Sequence, residues 1–116
     1  MSDIKRFHVG KRMCEMSVHN GVAYLAGQVS PNLSADVTQQ TRDVLAAIDA
    51  LLAEAGTSKS RILRAEIFLR DIADFAAMNA VWEPWVSEGN PPARATVQAA
   101  MYHPDCKIEI LVTAAV

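Results

Sequence analysis

The sequence predicts an α+β fold, one sheet with two helices on a single face, and three observations carry that expectation. An Asn20-Gly21 pair sits between two strand-like stretches. A long amphipathic segment fills residues 35–55. A second, shorter helical stretch then falls between strand patterns that run to residue 115.

Length and composition set the frame. With 116 residues, 51% hydrophobic and 21% charged, the chain has the size and make-up of one globular domain spanning residues 1–116. A domain this small leaves about a third of its unfolded surface exposed, so association with further copies would help it. The formal net charge of −2 speaks against a protein that tracks a phosphate backbone, and we expect no nucleic-acid partner. No run of about 18 apolar residues occurs, so no membrane partner is expected. The opening MSDIKRFHVG lacks the apolar stretch of a signal peptide, from which a cytoplasmic location is expected. On that expectation Cys14 and Cys106 are free thiols, either ordinary half-buried side chains or a nucleophile or redox sensor.

Taken in order, a short strand is expected at Ile4–Val9, followed by Met13–His19 and Val22–Gln28. Asn-Gly tolerates the positive φ angles of a type I′ turn, so the last two should form a hairpin. Ser30-Pro31-Asn32-Leu33-Ser34 is a loop. Val37, Val44, Leu45, Ile48, Leu51 and Leu52 recur at helical steps, predicting a helix over Ala35–Ala55 that Gly56 stops. A helical turn at Ser58–Arg61 precedes a strand at Ile62–Leu69. Asp71 or Asp74 should cap a second helix running to about Glu88, kinked or interrupted at Pro84. Gly89-Asn90-Pro91-Pro92 ends it. Strands at Arg94–Ala100 and Lys107–Ala115 close the chain, separated by Tyr102-His103-Pro104-Asp105.

The last strand is apolar on both sides. Ile108, Ile110, Val112 and Ala114 point one way; Glu109, Leu111, Thr113 and Ala115 point the other. Helices can cover only one of those faces, so another copy of the chain is expected on the second.

Several chemistries lack their motifs. His8, His19 and His103 are scattered, with no spacing suited to a metal, and no phosphate-binding glycine loop or serine-nucleophile elbow is present. No metal or cofactor is expected. Arg94 stands out because it opens an apolar strand directly after Pro91-Pro92, where stiff backbone would aim its paired donors at a carboxylate. A surface arginine ending an edge strand fits the pattern equally well. Glu109 is the one acid inside Ile108-Glu109-Ile110-Leu111-Val112. It could form an ion pair with Arg94, orient a water beside it, or simply face solvent. Trp82 and Trp85, three residues apart, belong either to a cleft or, more in keeping with helical spacing, to packing.

These residues together resemble the RidA (YjgF) family of reactive-imine deaminases. The strongest stretch is Pro92-Ala93-Arg94-Ala95-Thr96-Val97-Gln98-Ala99-Ala100, followed by Pro104 and Lys107-Ile108-Glu109-Ile110. Ala26-Gly27-Gln28 and Asp74-Phe75-Ala76-Ala77-Met78-Asn79 support it. The resemblance implies a chorismate-mutase-like fold and a homotrimer with clefts between subunits. It implies hydrolysis of 2-imino acids or 2-aminoacrylate to 2-keto acids and ammonia, without a cofactor. Arg94 would bind the substrate carboxylate and Glu109 would place the attacking water. Gly27, Ala26, Asn79, Thr96 and Met13 would line the cleft. Met13, Ala26 and Thr96 depart from the tyrosine, serine and cysteine that characterised members carry, which implies a divergent subfamily with an altered cleft. Two other readings remain open: a binding module for small carboxylates or keto acids without turnover, and an RNA-directed or chaperone-like protein, which the charge balance disfavours.

Overall fold

The structure, a computed structural model, describes residues 3–116. Six strands and two helices follow one another in the order the sequence predicts. They are β1 (Lys5–Phe7), β2 (Met16–His19), β3 (Val22–Leu25), α1 (Val37–Glu54), β4 (Ile62–Leu69), α2 (Phe75–Trp85), β5 (Ala93–Gln98) and β6 (Ile108–Ala115). All six strands form one sheet in the order β1-β2-β3-β6-β4-β5, and only β4 and β5 pair in parallel.

This order explains why both helices share a face. β3 and β4 flank β6 and are both antiparallel to it, so β3 and β4 run the same way. The β3-α1-β4 and β4-α2-β5 connections are therefore both crossovers that step across the sheet in one direction. Crossovers of one hand stepping in one direction put their helices on one side. There α1 and α2 pack together over the core: Val44, Leu45, Ile48, Leu51 and Leu52 of α1, Met78 and Trp82 of α2, and Ala65, Ile67, Leu69, Ile108, Ile110 and Val112 of the sheet. Burying one such aliphatic side chain contributes about 1.5–3 kcal/mol.

Local chemistry trims the expected elements. Asn20 and Gly21 take φ of 50° and 76°, as the hairpin requires. The second strand begins at Met16 rather than Met13, because the chain bends at residues 10–13, where Gly10 N–H donates to the Met13 carbonyl at 2.7 Å. Met13 is thus outside the sheet and 53% exposed. Asp36 sets the start of α1 two residues later than expected, its carboxylate accepting from Gln39 N–H at 2.9 Å. Gly56 ends it at φ 77°, with the Gly56 and Thr57 amides bonded to the carbonyls of Ala53 and Leu52. A 3-10 turn at Lys59–Arg61 leads into β4. Of the two candidate caps, Asp71 is the one that acts: it accepts from Ala73 N–H at the head of a 3-10 turn, Ile72–Asp74, that runs into α2.

Pro84 terminates α2 rather than kinking it midway. Lacking an amide hydrogen, it cannot bond the Ala80 carbonyl, and the helix lasts one residue more, to Trp85, three short of Glu88. Between β5 and β6 the chain is tied down by Gln40, fully buried in α1. Its side-chain amide donates to the carbonyls of Ala35 and Asp105, and its carbonyl accepts from Lys107 N–H at 2.9 Å.

The face away from the helices carries Tyr24, Glu66, Phe68, Val97, Glu109, Leu111 and Thr113, by register and alternation. Tyr24 and Val97 are about half exposed there. The sheet is indeed apolar on both sides, and in the single chain one side is open.

Candidate functional site

Arg94 sits opposite Ala65 in the β4–β5 ladder, and Ala65 is fully buried on the helix face. Its guanidinium therefore turns towards α2. There Nη1 donates to Asn79 Oδ1 at 2.7 Å. The Arg94 Cζ atom lies 5.3 Å from the centre of the Trp82 ring and 5.8 Å from that of Phe75. Phe75, Asn79 and Trp82 follow one another by four and three residues, so a single helix stripe supplies all three contacts. A cation over an aromatic face gains about 0.5–2 kcal/mol, more when water is kept away. Two rings and an amide hold the group in place. A guanidinium has five N–H donors, and the bond to Asn79 uses one. Among the described residues Arg94 forms no ion pair with an acid.

Thr96 lies two residues along the same strand, opposite Ile67 and on the same face. Its Oγ1 is buried without a hydrogen-bond partner. An orphaned hydroxyl costs about 1–3 kcal/mol. It stands beside the fixed cation, where a ligand's polar atom could satisfy it.

Glu109 belongs to the other side of the sheet, opposite Phe68. The Gln28 and Ile110 backbones exchange hydrogen bonds of 2.8 and 3.1 Å, which lays Ala26-Gly27-Gln28 against β6. Gly27 is needed for this approach: a Cβ on it would overlap the Glu109 carboxylate, meeting Cδ at 2.8 Å. The Ala26 amide bonds the Glu15 carbonyl at 2.8 Å, and its carbonyl accepts from the Gln28 side chain. Neither carboxylate oxygen of Glu109 has a hydrogen bond or ion pair among the described residues.

The structure thus brings the expected site residues together in two groups, Arg94 with Asn79 and Thr96, and Glu109 with Gly27 and Ala26. It does not bring the groups together within one chain. The idea of an Arg94–Glu109 ion pair across neighbouring strands is corrected: β4 intervenes between β5 and β6, and the two side chains leave the sheet on opposite faces. Met13, expected on a cleft-lining strand, sits in the bend before Glu15 instead.

The sequence pattern marks Phe75 only as part of a helix, and it leaves Trp82 open to either cleft or packing. Trp82 serves in both, 5% exposed in the core and in contact with the guanidinium. The available signal was Asn79, a lone amide on an otherwise apolar stripe. Trp85 packs elsewhere: its Nε1–H donates to Asp49 at 2.9 Å and its ring carries the Lys59 ammonium. Both cysteines are free. Burial pushes the Cys106 thiol up from its ordinary pKa, and its S–H is directed at the Ile108 carbonyl, which marks it as a packing residue. Among the described residues no three His, Cys, Asp or Glu side chains cluster as metal ligands, and no helix is long and apolar enough to cross a membrane.

Known proteins share this architecture. Residues 5–116 match the family described as Endoribonuclease L-PSP. A RutC family protein of Haemophilus ducreyi is 45% identical over 97% of both chains. The RutC family protein YoaB of Escherichia coli is 47% identical over 97% of this chain and 98% of its own. The crystal structure of a YjgF family member from Neisseria meningitidis superposes with a TM-score of 0.93 at 44% identity, covering 97% of this chain and 94% of its own. With the sheet order, the Arg94 strand and the Gly27–Glu109 contact established, these likenesses agree: the chain belongs to the RutC/YjgF (RidA) family.

Proposed function

We propose that this protein hydrolyses 2-imino acids and their 2-aminoacrylate tautomers to 2-keto acids and ammonia, without a cofactor. One observation carries the reading: Arg94 is held by Asn79, Phe75 and Trp82 with most of its donors unspent. Such a group is suited to a carboxylate, which accepts two parallel N–H bonds from a guanidinium edge.

Glu109 supplies the second part. An imine carbon is already electrophilic, so the protein need only fix it and present a water to it. In the proposed step Glu109 accepts a proton as the water oxygen bonds to the imine carbon. Glu109 returns that proton to the former imine nitrogen, giving a neutral carbinolamine. It then carries the carbinolamine hydroxyl proton to the same nitrogen as the C=O forms and the C–N bond breaks, so that keto acid and ammonia leave and Glu109 ends as it began. Alignment of this kind lowers a barrier by several kcal/mol. Because the two groups occupy opposite faces of one sheet, we place the site between copies. The open face of one chain, carrying Glu109 and Gly27, meets the Arg94 edge of the next, in the homotrimer that the family resemblance implies.

The test generates an imino acid with an amino-acid oxidase and traps it with semicarbazide. The wild-type protein is expected to suppress trapping, and Arg94→Ala to lose at least about 2 kcal/mol of transition-state stabilisation, roughly thirtyfold in kcat/KM. Equal trapping with and without protein, or an Arg94→Ala variant as active as wild type, refutes it.

A carboxylate- or keto-acid-binding module without turnover is the second reading. It is favoured by Met13 and Ala26, apolar at positions where the family resemblance implies polar side chains. It predicts that pyruvate raises the melting temperature through Arg94 while trapping is unaffected.

A further inference from the structure

We infer that the outer groove between α1 and α2 is a second ligand site, for a small amphiphilic carboxylate carrying an aromatic ring. The groove lies on the side of α2 that does not hold Arg94, so it stands or falls independently of the function proposed above. Leu45 and Ala46 of α1 and Ala80, Val81 and Pro84 of α2 line it, and the Trp85 ring forms part of its wall. Its cavity volume is about 350 Å³, within the range of small-molecule sites. The two alanines are exposed and leave unfilled the space that larger residues at those positions would occupy.

The wall is fixed before any ligand arrives. Trp85 Nε1–H is bonded to Asp49, the Lys59 ammonium lies 5.3 Å from one indole ring centre, and the Trp82 ring packs at 5.2 Å. A pinned indole offers a stacking surface at little entropic cost. Charge then orders the occupant. Arg42 lines the groove, exposed and without an ion pair among the described residues, whereas Asp49 stands seven residues further along α1. Two helical turns separate them, about 10 Å. Arg42 is thus the cation without an acidic partner, whereas the Asp49 end holds both an acid and the Lys59 ammonium, and a negative group is drawn to the Arg42 end. The ring is left against Trp85, between Val81 and Pro84. A carboxylate on a three-carbon tether from a phenyl ring has this reach.

The probe is 4-phenylbutyrate, with 4-phenylbutylamine and 4-phenylbutanol as charge controls. The readouts are calorimetry and intrinsic fluorescence, since the two tryptophans are Trp82 and Trp85. The carboxylate should bind and alter the emission, with the amine and alcohol about tenfold weaker or more. Arg42→Ala should weaken binding by a similar factor. Ala46→Phe, which fills the groove, should abolish it, while Arg94→Ala should leave it intact. Equal binding of all three probes, no effect of Arg42→Ala or of Ala46→Phe, or loss of binding in Arg94→Ala would each overturn the assignment. Absence of binding by 4-phenylbutyrate would do the same.

Discussion

Arg94 shows how little of a site a single residue states. Its importance was visible from Pro91-Pro92 before it and the small apolar residues after it. Its surroundings were not, because which helix residues meet an edge strand depends on how α2 docks, and no local pattern encodes that. Thr96 makes the same point with a measurable consequence. A buried hydroxyl without a partner is a stability deficit, so the isosteric Thr96→Val should raise unfolding free energy by about 1–3 kcal/mol. Urea denaturation at matched protein concentration measures it. A loss of stability would mean that the hydroxyl has a partner in solution. Gly27 works in the opposite sense. Replacing it by alanine displaces the mobile end of Glu109, which alters the position of the proposed base far more than it alters the fold.

Among the elements, helices were the most legible. The apolar period of α1 and its glycine stop fixed its extent to within two residues, the error coming from the choice of Asp36 as cap. Apolar alternation overstates the strands at their ends, because it continues where pairing does not. Residues 10–15 and 26–28 still hydrogen-bond to neighbours, but through bends that composition does not announce. The clasp between β1 and α1 was equally invisible. His8 Nε2, just past β1, meets both carboxylate oxygens of Glu54 at 2.9 Å. That hydrogen bond first, then the charge of Glu54, raises the His8 pKa. The unfolded value is about 6.5. A raised folded value means that the clasp's contribution is fully present below pH 6.5 and fades as pH climbs through the folded pKa. NMR titration of the His8 ring should therefore show a midpoint above the ordinary one, restored by Glu54→Gln. An unshifted His8 in the wild type would disprove the clasp.

At the scale of the whole molecule, the two-faced sheet was the sequence's clearest message. The alternation in β6 indicated an uncovered side, and the structure leaves Tyr24, Phe68, Val97 and Leu111 on it. What occupies that side is beyond the reach of one chain's pattern, since register and symmetry between copies are set by shape. Placing a charge there should be decisive. Leu111→Asp, half-buried in the single chain, should convert the proposed trimer to monomer in light scattering while leaving far-ultraviolet circular dichroism in place. An unchanged mass would exclude this face from the assembly.

The placement of Arg94 and Glu109 on opposite sides of one sheet has a genetic corollary. If each site borrows its cation from one polypeptide and its acid from the next, two inactive variants can repair each other. Arg94→Ala and Glu109→Gln, each strongly impaired alone, should regain turnover when unfolded together and refolded as hybrids, because some junctions then join an intact arginine to an intact glutamate. Sites housed within single polypeptides would show no such complementation.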